Sequence, residues 1–368
     1  MTTLDFSPLK DVPRLLMQAE LKPLQGDRFQ PTGFPDLGAA RYTLADGTEM
    51  LLVESAQSVA NRLEAAVWDD AKADLIDALR GLPYVRITVK TKNGSLGVTT
   101  TLHEPHRLNS GYLWTAQEDV DGSLASFKQM LIGALGVKAR KSKKGKDKKS
   151  DGEDNSQLAG VLNMSQIARA LFQFDPNALL HGVFLEKIDS RLRLSRALSG
   201  FIEACNVRVA ESGGVKTDRI DPTGDPKPDF GMLPFHRTEF VAKAITAYFN
   251  LDLALLRSYG LPDEAIDLLI ALALFKVQRF LAHGLRLRTA CDLEVKGQLQ
   301  VTRPDGYTLP TLDGLETALP GLIAACTKQG LFADPPVTNV TVIYEKRSKK
   351  DKGEKTAQSN STEGEDEG

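Results

Sequence analysis

The sequence predicts an α+β protein built on a decorated sheet, and three observations carry that reading. Segments with strand period and segments with helix period are interspersed, without the regular strand–helix–strand alternation of a doubly wound fold. YVRITVK and LGVTTTL at 84–90 and 96–102 flank Asn93-Gly94, the cleanest hairpin signal in the chain. The greasiest run, AIDLLIALALF at 265–275, is too short to span a bilayer and reads as a core helix. With 368 residues, 42% of them apolar, the chain is long enough to bury a sizeable core as one large domain or two ordinary ones.

The elements follow in order. Residues 14–22 alternate Leu15, Met17, Ala19 and Leu21 with polar neighbours, a strand with one buried face. GDRFQPTGFPDLG at 26–38 is too rich in Gly and Pro to be anything but a loop. EMLLV at 49–53 is a second strand that runs into a helix capped by Ser55 and continuing through Leu63, Ala66 and Val67. A further helix is expected over 71–80, then the hairpin, a helix over 123–135 and another over 158–172. ALLHGVFL at 178–185 reads as a buried strand, and 191–209 as a segment with extended ends. The Gly/Pro/Asp-rich stretch 211–236 reads as a long loop, of a length that is usually functional or disordered. Strands at 238–249, 291–302 and 337–344 and helices at 262–282 and 312–328 complete the expected order.

The formal net charge of −2 hides a basic segment. Residues 138–155 carry +4, the tail 345–368 carries −1, and the remainder carries −5. The Lys-rich insertion 138–157 and the polar tail 345–368 have no apolar period and are expected to be disordered, leaving 1–344 as the domain. The body being mildly acidic, any anion site must be a local patch. Cys205, Cys291 and Cys326 are far apart and odd in number, which suits reduced thiols in a cytoplasm. No signal peptide or membrane span is expected.

Tests for chemistry are mostly negative. The sequence has no GxSxG, no phosphate loop and no strand-GxGxxG-helix unit, and no cofactor is expected. His103 and His106 form the only close histidine pair, but Pro105 between them argues against a helical metal face, so no metal is expected. His181 reads as a core residue. No acid/base or nucleophile constellation emerges, which points away from an enzyme. Anion binding fares better. Gln57, Ser58, Asn61 and Arg62 occupy the first turns of a helix, whose N-terminus offers free N–H groups, and each i,i+4 pair lines one side. Arg191 and Arg193 alternate with Leu192 and Leu194, followed by Arg196, Arg208, Lys216 and Arg219. Charge pattern alone does not choose between phosphate contacts and surface pairs with Glu186, Asp189, Glu203 and Asp218.

Five motifs in order then carry a resemblance: GDRFQPTGFPDLGAARY at 26–42, LLVESAQSVANRLE at 51–64, EPHRLNSGY at 104–112, FDPNALLHGVF at 174–184 and VKTDRIDPTG at 215–224. Over roughly 14–344 the chain resembles the backbone subunit of the type I-G (formerly I-U) CRISPR Cascade complex, of the RAMP superfamily. The resemblance implies a modified RRM, or ferredoxin-like, core with large insertions, including a thumb-like hairpin and helical elaborations. It implies copies stacked head-to-tail along a CRISPR guide RNA, pairing of the guide with target DNA in antiviral defence, contacts with other Cascade subunits, no nuclease activity of its own, and no membrane. It directs attention to Arg28, Gln30 and Thr32 in the loop after the first strand, to Gln57, Ser58, Asn61 and Arg62, and to His106 and Arg107. The 211–236 loop becomes the thumb, with Phe230 or Met232 as wedge. The RRM stacking signature, aromatics on adjacent central strands, is not recognisable in the sequence, so loops and the helix end are expected to hold the RNA. The competing expectation is a metal-independent CRISPR-repeat endoribonuclease of the same superfamily, acting through His103 or His106.

Overall fold

The computed structural model describes residues 4–34, 36–91, 94–116, 118–136, 163–188, 192–220 and 231–344. Strand β1 (Arg14–Pro23) buries Leu15, Met17, Ala19 and Leu21 on one face, as its period-2 pattern dictates. The chain loops out, forms the edge strand β2 (Arg41–Thr43) and returns as β3 (Glu49–Glu54). Helix α1 (Ala56–Ala65) follows, its first turn closed by the Ser55 hydroxyl, which accepts from the Ser58 N–H at 3.2 Å. The hairpin β4 (Tyr84–Thr91) and β5 (Gly94–Thr100) comes next, then helices α2 (Ser123–Ala134), α3 (Met164–Phe174) and the short α4 (Asn177–His181).

The next four strands form one long, bent hairpin: β6 (Leu198–Cys205), β7 (Arg208–Lys216), β8 (Leu233–Val241) and β9 (Ala244–Asp252). β6 and β9 pair from Leu198↔Leu251 to Cys205↔Ala244, and β7 and β8 continue from Arg208↔Val241 to Lys216↔Leu233. Between the two stretches Asn206 turns left-handed (φ 52°), a conformation asparagine tolerates better than most residues. Inner β6–β9 thus belongs to the main sheet, while β7–β8 leaves it as a two-stranded ribbon about 30 Å long at the usual rise per residue. The chain then forms α5 (Asp263–His283), β10 (Arg286–Arg288), β11 (Cys291–Val295), β12 (Gln300–Arg303), α6 (Leu312–Lys328) and β13 (Val337–Ile343).

The large sheet has the order β10-β11-β1-β9-β6-β3-β2, with β12 also pairing β1. Its centre, β11-β1-β9-β6, is antiparallel throughout. Two interleaved strand–helix–strand units build that centre: β1-α1-β6 and β9-α5-β11. Helices α1 and α5 cover one face, where Phe249 of β9 meets Phe280 of α5 edge-on with ring centroids 6.3 Å apart. α5 is buried nearly all round, since α6 packs against its far side. A smaller sheet runs from 118–119 through β13 and β4 to β5, with β13 and β4 parallel.

The molecule is therefore α+β, and several local expectations change. The helix expected over 71–80 is a tight hairpin, 68–69 with 74–75, followed by a 3-10 turn at Asp77–Leu79. Its apolar residues are too few to sustain a helical face. The strand expected at 178–185 is helical through His181, and only Val183–Phe184 extends. Gly182 makes the switch at φ 79°, where a Cβ would sit 2.9 Å from the Leu194 carbonyl oxygen. The loop expected over 211–236 is largely the β7–β8 ribbon, and its tip, 221–230, lies outside the described residues. The strands expected at 238–249 and 291–302 are each two strands, broken at 242–243 and 296–299. The Lys-rich insertion 138–157 and the tail 345–368 also lie outside the described residues.

Candidate nucleic-acid interface

Helix α1 carries two distinct polar faces, and each organises a cluster. The first faces a groove of about 1330 Å³ bounded by α1, the 102–107 loop and residues 181–184 and 193–196. Gln57 and Asn61 line its α1 wall, joined by a Gln57 Nε2 to Asn61 Oδ1 bond of 2.9 Å. Arg196 reaches across and donates to Gln57 Oε1 at 2.8 Å, to the Ala56 carbonyl at 3.1 Å and to the His181 carbonyl at 3.3 Å. None of these acceptors is a carboxylate, and among the described residues Arg196 has no ion-pair partner, Glu64 acting on it only at longer range. Arg193, exposed, lies over the Phe184 ring at 4.2 Å and also lacks a carboxylate partner among the described residues. His103 and His106 line the opposite wall. His103 stands edge-on to Trp68 at 4.5 Å, and its Nδ1 is 3.0 Å from the Thr100 hydroxyl.

Beneath the groove floor lies a buried charge network. Arg107, held at a left-handed φ of 49°, is ion-paired with Glu64 of α1 and lies 3.8 Å from Asp175. Lys276 of α5 donates to Asn177 Oδ1 at 2.5 Å and points at His181 Nε2 from 2.8 Å. Burial dominates the titration of all three: it pushes the Lys276 ammonium down to about 7, the Asp175 carboxyl up to about 6, and the His181 imidazole well below its ordinary value. Arg107 therefore props the floor and is already neutralised, whereas Arg193 is exposed and Arg196, half-buried, is bonded only to neutral acceptors.

The second face of α1 meets the loop after β1. Arg62 bonds the buried Glu54 carboxylate at 2.7 Å and the Leu287 carbonyl, and Ser58 and Arg288 converge on the same carboxylate. Arg288 also donates to the carbonyls of Gln30 and Val53, both at 3.1 Å. The loop is pinned further by the Gln30 N–H to the Ala290 carbonyl (2.8 Å) and the Thr32 N–H to the Val53 carbonyl (2.9 Å). Phe29 and Phe240 exchange both backbone bonds at 2.9 Å, and Arg28 lies 3.4 Å from the buried Glu239, so the loop clasps the root of the ribbon. Arg28 is the part of this cluster most open to solvent.

The structure thus gathers Gln57, Asn61, His106, Arg107, Arg193 and Arg196 at the groove, and Arg28, Gln30, Thr32, Ser58 and Arg62 on the far side of α1. Lys216 and Met232 lie along the ribbon and Arg219 near its tip, remote from both. Arg191 and Phe230 fall outside the described residues. Sequence reasoning did not mark Phe184, Trp68 or Lys276. Their spacing looks like ordinary core periodicity, and only the tertiary fold brings them to the groove. Among the described residues no group of His, Cys, Asp and Glu could hold a metal, and no helix is long and apolar enough to cross a membrane.

These features can hold an extended polyanion: an exposed Arg193, an Arg196 bonded only to neutral acceptors, a helix end with amide side chains, and flat rings alongside. Residues 15–209 match the family described as CRISPR-associated protein GSU0053, and the chain belongs to that family. Among curated proteins, none matches. Among solved structures, the chain is similar to one described as a CRISPR RNA-guided surveillance complex, pre-nicking: 16% identity over 86% of this chain and 89% of that one, TM-score 0.40. It is also similar to Csc2 of Thermofilum pendens, with 11% identity over 89% of this chain and 80% of that one, TM-score 0.28.

Proposed function

We propose that this protein is a guide-RNA-binding backbone subunit of a type I-G Cascade complex, its copies stacking head-to-tail along one CRISPR RNA and leaving the bases free to pair with target DNA. The observation that carries the reading is the groove, where Arg193, stacked on Phe184, and Arg196, bonded to Gln57, have no ion-pair partner among the described residues. Local cations of this kind grip phosphates without a high net charge. The interleaved order β11-β1-β9-β6 supports a ferredoxin-like, RRM-derived core. The β7–β8 ribbon supports a thumb, with its tip beyond Lys216 and before Met232. The subunit binds and does not cut.

The test is purification from cells that express the guide locus. The expected product carries RNA of defined length, seen as raised absorbance at 260 nm and one gel band. A pure protein spectrum overturns the reading. A second reading, metal-independent cleavage of repeat RNA, draws on His103 and His106 sharing the groove. Incubation with repeat RNA separates the two: cleavage abolished by His103→Ala or His106→Ala establishes the second.

A further inference from the structure

The groove and the buried network beneath its floor meet at one residue, His181. Arg196, on the groove wall, donates from Nε to the His181 carbonyl at 3.3 Å, and on the inner side Lys276 Nζ lies 2.8 Å from His181 Nε2. Lys276 is fully buried, and its contacts, Asn177 Oδ1 and His181 Nε2, are not anions. No carboxylate forms an ion pair with it among the described residues. Glu64 of α1 and Asp175, just after α3, favour its ammonium from longer range, and Arg107 of the 102–107 loop opposes it. Both of those carboxylates already face Arg107. Arg196 adds a further positive charge to the field at His181. With Lys276 charged, Arg107, Arg196 and Lys276 therefore stand against Glu64 and Asp175 alone, and the network is one negative charge short. Asn177 Nδ2 and His181 Nδ1 also meet no hydrogen-bond partner among the described residues, so the pair that holds Lys276 is only partly satisfied itself.

We propose that a phosphate bound at Arg193 and Arg196 supplies the missing charge, so that the protein takes up a proton at Lys276 when a single strand enters the groove and grips that strand more tightly as pH falls. This rests on the RNA-binding reading and names a regulation of the same site. Burial disfavours the ammonium. An anion on the groove side of His181 favours it, through protein interior where charges are screened less than in water. Burial brings Lys276 down to about 7, a range in which a modest shift changes its charge. The sign follows from linkage. The complex binds more protons than its separate parts, so affinity climbs as pH falls from about 8 to about 7 and levels off beyond either end. Asp175, raised to about 6, and His181, well below its ordinary value, titrate beneath that window. Histidine also gains charge on acidification, and His103 and His106 line the opposite wall, so the test removes both.

The experiment is titration calorimetry of the full chain carrying His103→Gln/His106→Gln, with an oligouridylate of fixed length, in buffers of different ionisation enthalpy. For a shift of about one unit at Lys276, the binding enthalpy at roughly pH 7.5 should vary with the buffer by about half a proton taken up per copy. Affinity should rise about three-fold from roughly pH 8 to pH 7. Adding Lys276→Met should abolish both effects while binding persists; Lys276→Gln, which keeps a donor for Asn177, serves if the Met variant does not fold by circular dichroism. A binding enthalpy independent of buffer overturns the coupling, whatever the fate of the Lys276 variants. Proton uptake that persists in a folded Lys276 variant overturns it too. Binding without proton uptake sinks the coupling alone, whereas no binding at any pH sinks the RNA reading and the coupling with it.

Discussion

At the scale of single residues, the groove separates arginines that hold the protein from arginines that can hold a ligand. Arg107 is buried between Glu64 and Asp175. Removing it leaves two carboxylates without their cation, so Arg107→Ala should cost about 3–5 kcal/mol in chemical denaturation. Arg193→Ala removes an exposed side chain stacked on Phe184. It should leave stability within about 0.5 kcal/mol yet weaken binding to every RNA sequence and lower the salt slope by about one. An unchanged slope returns Arg193 to the ordinary surface. Lys276 makes a separate claim about pH. Its folded value is lowered to about 7 from 10.5. Between those values the unfolded chain binds a proton that the folded chain has released, so stability rises with pH there, by at most about 1.4 kcal/mol per unit. Asp175 and His181 titrate below this window, and burial raises the Cys291 thiol to about 11, above it. Denaturation midpoints across roughly pH 7 to 8.5 should therefore climb in the wild type and stay flatter in Lys276→Met; equal slopes remove Lys276 as the cause. None of this was legible in the sequence, where Lys276 is one cation inside an apolar helix. Gln57 and Asn61 were legible, because a capped helix start exposes its own polar side by spacing alone.

At the scale of elements, the informative one is the bent hairpin from β6 to β9. The sequence shows a Gly/Pro/Asp-rich stretch and suggests a loop, since Gly213, Gly214 and Pro234 all lower strand propensity. The fold overrides that propensity: β6 and β9 are locked in the sheet, and the register they impose carries outward into β7 and β8. Phe235 covers Gly214 across the ribbon, its ring 3.1 Å from where a Cβ would stand. The root is fixed by the Phe29–Phe240 exchange and the Arg28–Glu239 pair, so the ribbon can be shortened without disturbing the sheet. Replacing 217–232 by Asn-Gly would join Lys216 to Leu233, a paired position, through a two-residue turn. The melting temperature is expected to stay within about 3 °C, while nuclease footprints on bound RNA lose their regular spacing. A footprint identical to that of the wild type removes the ribbon from the RNA path. Phe201 of β6 and Tyr248 of β9 show the same: they face each other with ring centroids 5.2 Å apart, yet lie on either side of the ribbon in sequence, so no local motif announces the pair.

At the scale of the whole molecule, net charge and assembly must be reconciled. The chain carries −2 overall, so bulk attraction cannot gather it onto RNA. Copies held only by diffuse charge would bind in numbers that vary with salt. Copies held by a groove and stacked head-to-tail bind in a number set by RNA length, because a heterologous contact that does not close into a ring extends until the strand ends. Composition alone requires any anion site to be a local patch on a mildly acidic body. The fold meets that requirement at the groove: charges are paired internally at Arg62–Glu54–Arg288 and Glu64–Arg107–Asp175, while Arg193 and Arg196 have no ion-pair partner among the described residues. Native mass spectrometry over a ladder of guide lengths distinguishes the two regimes. The copy number should rise by one for each constant increment of nucleotides, and the increment should be the same at low and moderate salt. A single copy at every length defeats the filament, and a count that drifts continuously with salt returns binding to diffuse electrostatics.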